Sequence, residues 1–200
     1  MDLPKLNGGG LFRLANEDGI DYPVACIGQN GGPYTMGHYA QGYFAAGERL
    51  LRSIHEQRCD LDVLVYPVVY LYRQGVELSL KYLAERLAVL LRGTGGFKSG
   101  HDLMKNWLDV RKLLVQSRAD FPGEKSIREK SLKWVDGVLK QFVQIDPNST
   151  TFRYPRDLKG TDRLRRRQHI NYTNFGNYVR PLVSLFEGWM ISIDQAISET

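Results

Sequence analysis

The chain has 200 residues, 42% of them hydrophobic and 24% charged, with a formal net charge of +5 and a pI near 9.2. That length and apolar content suit one domain with its own core, and the want of any uninterrupted apolar run of membrane-spanning length excludes a transmembrane helix. The basic balance permits attraction to RNA or another polyanion, while Cys26 and Cys59 are too few for a disulfide framework or a zinc cage.

Residues 1–33 contain the clusters Gly8-Gly9-Gly10 and Gly31-Gly32-Pro33 and read as an irregular glycine-rich arm. The opening MDLPKLNGGG has neither a basic start nor an apolar run, so export is not expected and a reducing cytoplasm is the expected location. From residue 34 onward one helical domain is expected to run to residue 200. Ala40, Phe44, Gly47, Leu51 and Ile54 recur at helical spacing and predict a first helix over about residues 34–57. A second, longer helix is expected over 62–92, with Val68, Leu71, Tyr72, Val76, Leu80, Leu83, Leu87 and Leu90 on its buried face and Pro67 marking a kink or a late start. Leu103, Trp107, Val110 and Leu114 predict a third helix, which Phe121-Pro122-Gly123 breaks. A fourth, over about 125–144, turns Ile127, Trp134, Val135, Val138 and Phe142 inward before Asp146-Pro147-Asn148 ends it. Residues 150–155 and 168–173 alternate like short strands and predict a small β-hairpin beside the bundle. The last helix, over 174–198, places Val179, Leu182, Phe186, Met190 and Ile193 inward, with Pro181 as its regular start or a kink. Amphipathic helices joined by short links hide their apolar stripes only against one another, so the expected fold is an all-α antiparallel bundle of about five helices.

Four charged residues stand out on the second helix: Arg73, Glu77, Lys81 and Glu85 follow one another at four-residue spacing along one stripe. Leu71, Tyr72, Val76 and Leu80 flank that stripe, so Glu77 is expected to be at least partly buried, where an unpaired carboxylate is costly. A structural polar network is the expected role, with a ligand or catalytic role as the alternative. His101 and Asp102 open the third helix, where either can cap free backbone N–H groups; His101 also has the chemistry of an acid, a base or an anion contact. The stretch Phe152-Arg153-Tyr154-Pro155-Arg156-Asp157 combines arginine with aromatic rings, suited to clamping a phosphate or stacking on a base, or to anchoring a hairpin to the bundle through Glu77 or another acid. Arg163, Arg165, Arg166 and Arg167 form a basic run that attracts phosphates, unless it is simply a solvated loop. GTGGFKSG lacks the Gly-Lys-Ser/Thr ending of a phosphate loop, with Phe97 before Lys98, and follows a helix rather than a strand; no cofactor or metal is expected.

The run VELSLKYL with Glu77 and Lys81, then GHDL at His101, then FRYPRD with Arg153, Tyr154 and Asp157, resembles the HEPN superfamily of small helical bundles. It is closest to a bacterial group of HEPN-like proteins with the pattern YPxxxLYRxxxELxLK, GHxL and FRYPxDxxG. The resemblance implies a helical bundle, frequent homodimers, and an association with RNA cleavage, toxin–antitoxin pairs or phage defence. Active members place a histidine about four to six residues after an arginine, a spacing met by Arg49 with His55 and by Arg163 with His169. Leu50 and Leu164 stand where active members carry a polar residue, and Gln74 where the bacterial group often has histidine. The expectation is therefore a non-catalytic or weakly catalytic HEPN-like module that forms a homodimer and contacts RNA or a protein partner. In this reading Arg73, Glu77, His101 and Arg153 form one polar cluster. The competing expectations are a metal-independent ribonuclease and a purely structural or antitoxin-like partner.

Overall fold

A computed structural model describes residues 25, 34–91, 100–117, 127–164 and 169–199. The arm assigned to 1–33 therefore falls, apart from Ala25, outside the described residues, as does Arg165-Arg166-Arg167. Five helices follow in order: α1 (Met36–Gln57), α2 (Leu61–Leu90), α3 (Leu103–Gln116), α4 (Glu129–Ile145) and α5 (Tyr172–Ser198). The all-α bundle is the observed fold. No described helix is long and apolar enough to cross a membrane.

Local chemistry sets where the helices begin and end. Asp102 caps α3 by accepting the Lys105 backbone N–H at 3.0 Å, and Asn171 caps α5 by accepting the Asn174 N–H at 2.9 Å. Between α1 and α2, Arg58 (φ 50°) and Asp60 (φ 53°) both adopt left-handed backbone, reversing the chain within residues 58–60. So short a link makes α1 and α2 antiparallel neighbours. Both Pro67 and Pro181 lie inside continuous helices rather than at their starts.

At the centre is α2, packed against α1, α3 and α5, with α3 also meeting α4. A helix so surrounded must be apolar on more than one face, and α2 buries Val68, Val69, Tyr72, Val76, Leu80 and Leu83. It meets α1 tightly at Gly75, where an added Cβ would lie 2.5 Å from the Phe44 ring. The far end of the core is aromatic: the Trp107 and Trp189 indoles stack with centroids 6.1 Å apart and planes 10° apart, with Phe186 beside both. Trp107 Nε1 donates to Asp136 Oδ1 at 2.5 Å, whereas Trp189 Nε1 is buried without a hydrogen-bond partner among the described residues.

The expected hairpin is replaced by turns. Residues 151–153 form a turn in which the Arg153 and Tyr154 backbone N–H groups both donate to the Thr150 carbonyl, and α5 already begins at Tyr172. Among the described residues a single antiparallel bridge, Arg156 to Asp162, is the β pairing there. The alternation that suggested a strand arises because Phe152 is buried while Arg153 and Tyr154 face solvent, which a tight turn produces as well as a strand does.

Candidate functional site

Two features stand out: a buried ionic network on α2 and an exposed arginine–tyrosine cleft beyond it. In the network, Arg73 and Glu77 are 0% and 1% exposed, and Arg73 Nη1 donates to Glu77 Oε2 at 3.1 Å. Lys81 Nζ donates to the other carboxylate oxygen at 2.9 Å, and His101 Nδ1 lies 3.0 Å from that same Oε1. On its other side Arg73 Nε donates to the Asp146 carbonyl at 3.1 Å, with the Asp146 carboxylate 3.7 Å away. Asp146 is itself held in place because its Oδ1 accepts the backbone N–H groups of Thr150 and Thr151 at 2.8 and 3.0 Å.

The charges of Arg73, Lys81, Glu77 and Asp146 balance, which is what makes the buried ions tolerable. Burial alone would push the Glu77 carboxyl up. The hydrogen bonds from Lys81 and His101, the Lys81 charge and the Arg73 hydrogen bond outweigh it and hold the carboxyl below the ordinary range, so Glu77 is an anion at neutral pH. Its partner His101 is the opposite in exposure, with 82% of its side chain in solvent. The network thus runs from a sealed interior to one anchored imidazole at the surface.

Sequence reasoning brought Arg73, Glu77, Lys81 and His101 together, and the structure does the same. It does not add Arg153: no described hydrogen bond or ion pair joins Arg153 to Glu77, and the place beside Arg73 belongs to Asp146. Arg153 instead donates its Nε to the Ser149 carbonyl at 2.6 Å and lies over the rings of Tyr70 and Tyr154, 5.7 and 5.5 Å from their centroids. Asp102 is a helix cap, and Glu85 is exposed. Asp157 accepts the Lys159 and Thr161 N–H groups in the turn that Gly160 closes at φ 79°, and the Thr161 hydrogen bond leads the effects that lower its carboxyl.

Arg153 and Tyr154 open onto a surface cleft of about 520 Å³ that Tyr66 and Arg163 also line. It adjoins a second cleft, also about 520 Å³, through the shared residues Tyr66, Phe152 and Leu164, and His169 lines that second one. Arg163 and His169 therefore line two clefts that share wall residues, and no described hydrogen bond or ion pair links them; Arg163 Nε donates to the Arg156 carbonyl at 3.3 Å. Arg49 and His55 both project from α1 into solvent, and six residues of α-helix turn them to different faces. Among the described residues no group of three metal-ligating side chains comes together.

A second ionic cluster escaped the sequence reading. Glu48 accepts from Tyr72 Oη at 3.0 Å and from Arg180 Nε and Nη2 at 3.0 and 3.1 Å, tying α1, α2 and α5 together. Farther along α2 and α5, Asp194 accepts from Tyr82 Oη and from Arg86 Nε, each at 2.6 Å. Burial and the hydrogen bond to Asp194 push the Tyr82 hydroxyl up to about 12, and burial with Glu48 pushes Tyr72 higher still. These partners lie on different helices with no motif spacing to mark them. Asp146 did carry a signal, since Asp-Pro-Asn-Ser favours an aspartate that caps its own turn.

The fold and its surface define an all-α bundle with a sealed ion network and an exposed arginine–tyrosine cleft. Set against protein-family models, curated proteins and solved structures, the chain matches none.

Proposed function

We propose that this chain is a HEPN-like RNA-binding module that works as a homodimer in a bacterial defence or toxin–antitoxin type system, with little or no catalysis of its own. The observation that carries the RNA part is the cleft in which Arg153, lying over the rings of Tyr70 and Tyr154, sits with Tyr66 and Arg163. Exposed tyrosines offer faces for unstacked bases, and guanidinium groups beside them meet the phosphates, the combination that single-stranded nucleic acid requires. Tyr66 and Tyr154 are 44% and 54% exposed, so their rings are accessible from solvent. The dimer and the biological setting rest on the resemblance of the sequence to HEPN proteins.

Binding of a single-stranded RNA oligonucleotide across a salt series tests the reading. Affinity should fall with salt, and Arg153→Ala with Arg163→Ala should flatten the log–log slope by about 1.4, as expected for two lost single-strand phosphate contacts. Absence of salt-sensitive RNA affinity in the unaltered chain would overturn it.

One observation favours metal-independent RNA cleavage as a second reading: Arg163 and His169 line two clefts that share wall residues. His169 would take the 2′-hydroxyl proton as the 2′-oxygen bonds to phosphorus and the bond to the 5′-oxygen breaks, with water protonating the leaving oxygen and Arg163 on the phosphate. RNA cleavage in EDTA that disappears in His169→Ala would establish it.

A further inference from the structure

A third cleft, of about 220 Å³, opens beside the other two and shares Phe152, His169 and Ile170 with the nearer one. Its floor is apolar: Val69, Val138, Phe142 and Val179 are each less than a tenth exposed. Its rim carries the exposed side chains of Gln141 and Asn174. No aspartate, glutamate, lysine or arginine lines it. The Asn174 backbone N–H is used by Asn171, but the Asn174 side-chain amide has no hydrogen-bond partner among the described residues. The volume lies below the range of about 300–1,000 Å³ for pockets that take drug-sized ligands, so it fits one planar ring system rather than several.

We propose that this cleft is a nucleobase pocket, taking one base splayed out of an RNA strand whose phosphates follow Arg153 and Arg163. The inference rests on the RNA reading above and deepens it. An uncharged, aromatic-walled slot with amides at its mouth suits a flat neutral ring that has hydrogen-bonding edges, because the amides of Gln141 and Asn174 each offer a donor and an acceptor. The charge that such a ligand carries elsewhere is met outside the slot: the arginines stand in the adjoining depression and not in the pocket itself. That division of labour, neutral edges inside and cations outside, matches a nucleotide in a chain and argues against a free anion or a lipid tail.

Titration of the four ribonucleosides into the isotope-labelled full chain tests the pocket without any phosphate. We expect saturable shifts of the Val69 and Val179 methyl signals with at least one nucleoside, lost in the double variant Gln141→Leu, Asn174→Leu, whose positions are exposed and whose fold circular dichroism can check. An RNA oligonucleotide should also bind about tenfold more tightly than the same oligonucleotide with one abasic residue at the preferred position, a factor in keeping with one stacked base. If no nucleoside moves those methyls saturably, the proposal falls, whether or not RNA binds. If N-acetyltyrosinamide moves them and nucleosides do not, the cleft takes a protein side chain and the proposal falls too. Saturable nucleoside shifts without RNA affinity would keep the pocket and sink the cleft reading instead.

Discussion

Glu77 and His101 are separated by 24 residues and by almost the full range of solvent exposure, yet Oε1 of one lies 3.0 Å from Nδ1 of the other. The contact fixes the imidazole by one nitrogen and leaves the other to the solvent. It also ties the start of α3 to the middle of α2 at the exact point where α2 has buried a carboxylate.

Removing that carboxylate should be costly. Glu77→Ala leaves the Arg73 guanidinium, 0% exposed, without its main anion, and the expected loss is about 3–5 kcal/mol, as for other broken buried pairs. Lys81→Ala, at the edge of the network, should cost far less. Urea denaturation of both variants checks the contrast; equal losses would mean that Glu77 is less committed to Arg73 than the geometry indicates.

The same carboxylate sets an acid limit. Because the folded protein holds Glu77 below the ordinary carboxylate range, its contribution to stability is complete above the unfolded value of about 4.3 and is lost as pH falls through the lower folded value. Glu48, lowered against its burial by Arg180 and Tyr72, acts in the same direction. Denaturation midpoints measured from pH 6 downward should therefore drop below about pH 4.3, and Glu77→Gln should show a shallower drop.

At the alkaline end the tyrosines invert this sign. Tyr82, pushed up to about 12, stabilises the fold fully below the unfolded value of about 10 and loses that contribution as pH rises toward 12. Spectrophotometric titration should show Tyr82 and Tyr72 ionising above the ordinary tyrosine value of about 10. Tyr82→Phe should remove one late-titrating group.

Helical glycines divide by what surrounds them. Gly75→Ala drives a methyl to 2.5 Å from the Phe44 ring and should destabilise by about 1–3 kcal/mol, the usual cost of overpacking. Gly42→Ala and Gly188→Ala meet nothing within 4 Å on helices and should stabilise by about 0.5–1 kcal/mol through the unfolded chain. Thermal melts of the three variants read the sign directly.

The helices were legible because their apolar residues repeat with the helical period: every residue expected inside α1 and α3 is buried. The α2 network was half legible. Arg73, Glu77 and Lys81 are neighbours by helical spacing alone, whereas Asp146 reaches Arg73 across 73 residues, a distance over which pattern says nothing. Arg153 was misplaced for a related reason: its motif promised a charge to pair with, and its turn aimed it at tyrosine rings and a carbonyl instead. The small cleft above Val179 left no trace in the sequence, since its walls come from α2, α4, α5 and the loop before α5.

The stacked indoles of Trp107 and Trp189 have an optical consequence. Two indoles held rigidly 6.1 Å apart in an asymmetric interior give their near-ultraviolet bands a dichroism that fades once the rings are free to rotate. The near-ultraviolet dichroism of the native chain is thereby a built-in gauge of the aromatic end of its interior, readable without any label and separable from the helix signal at shorter wavelengths.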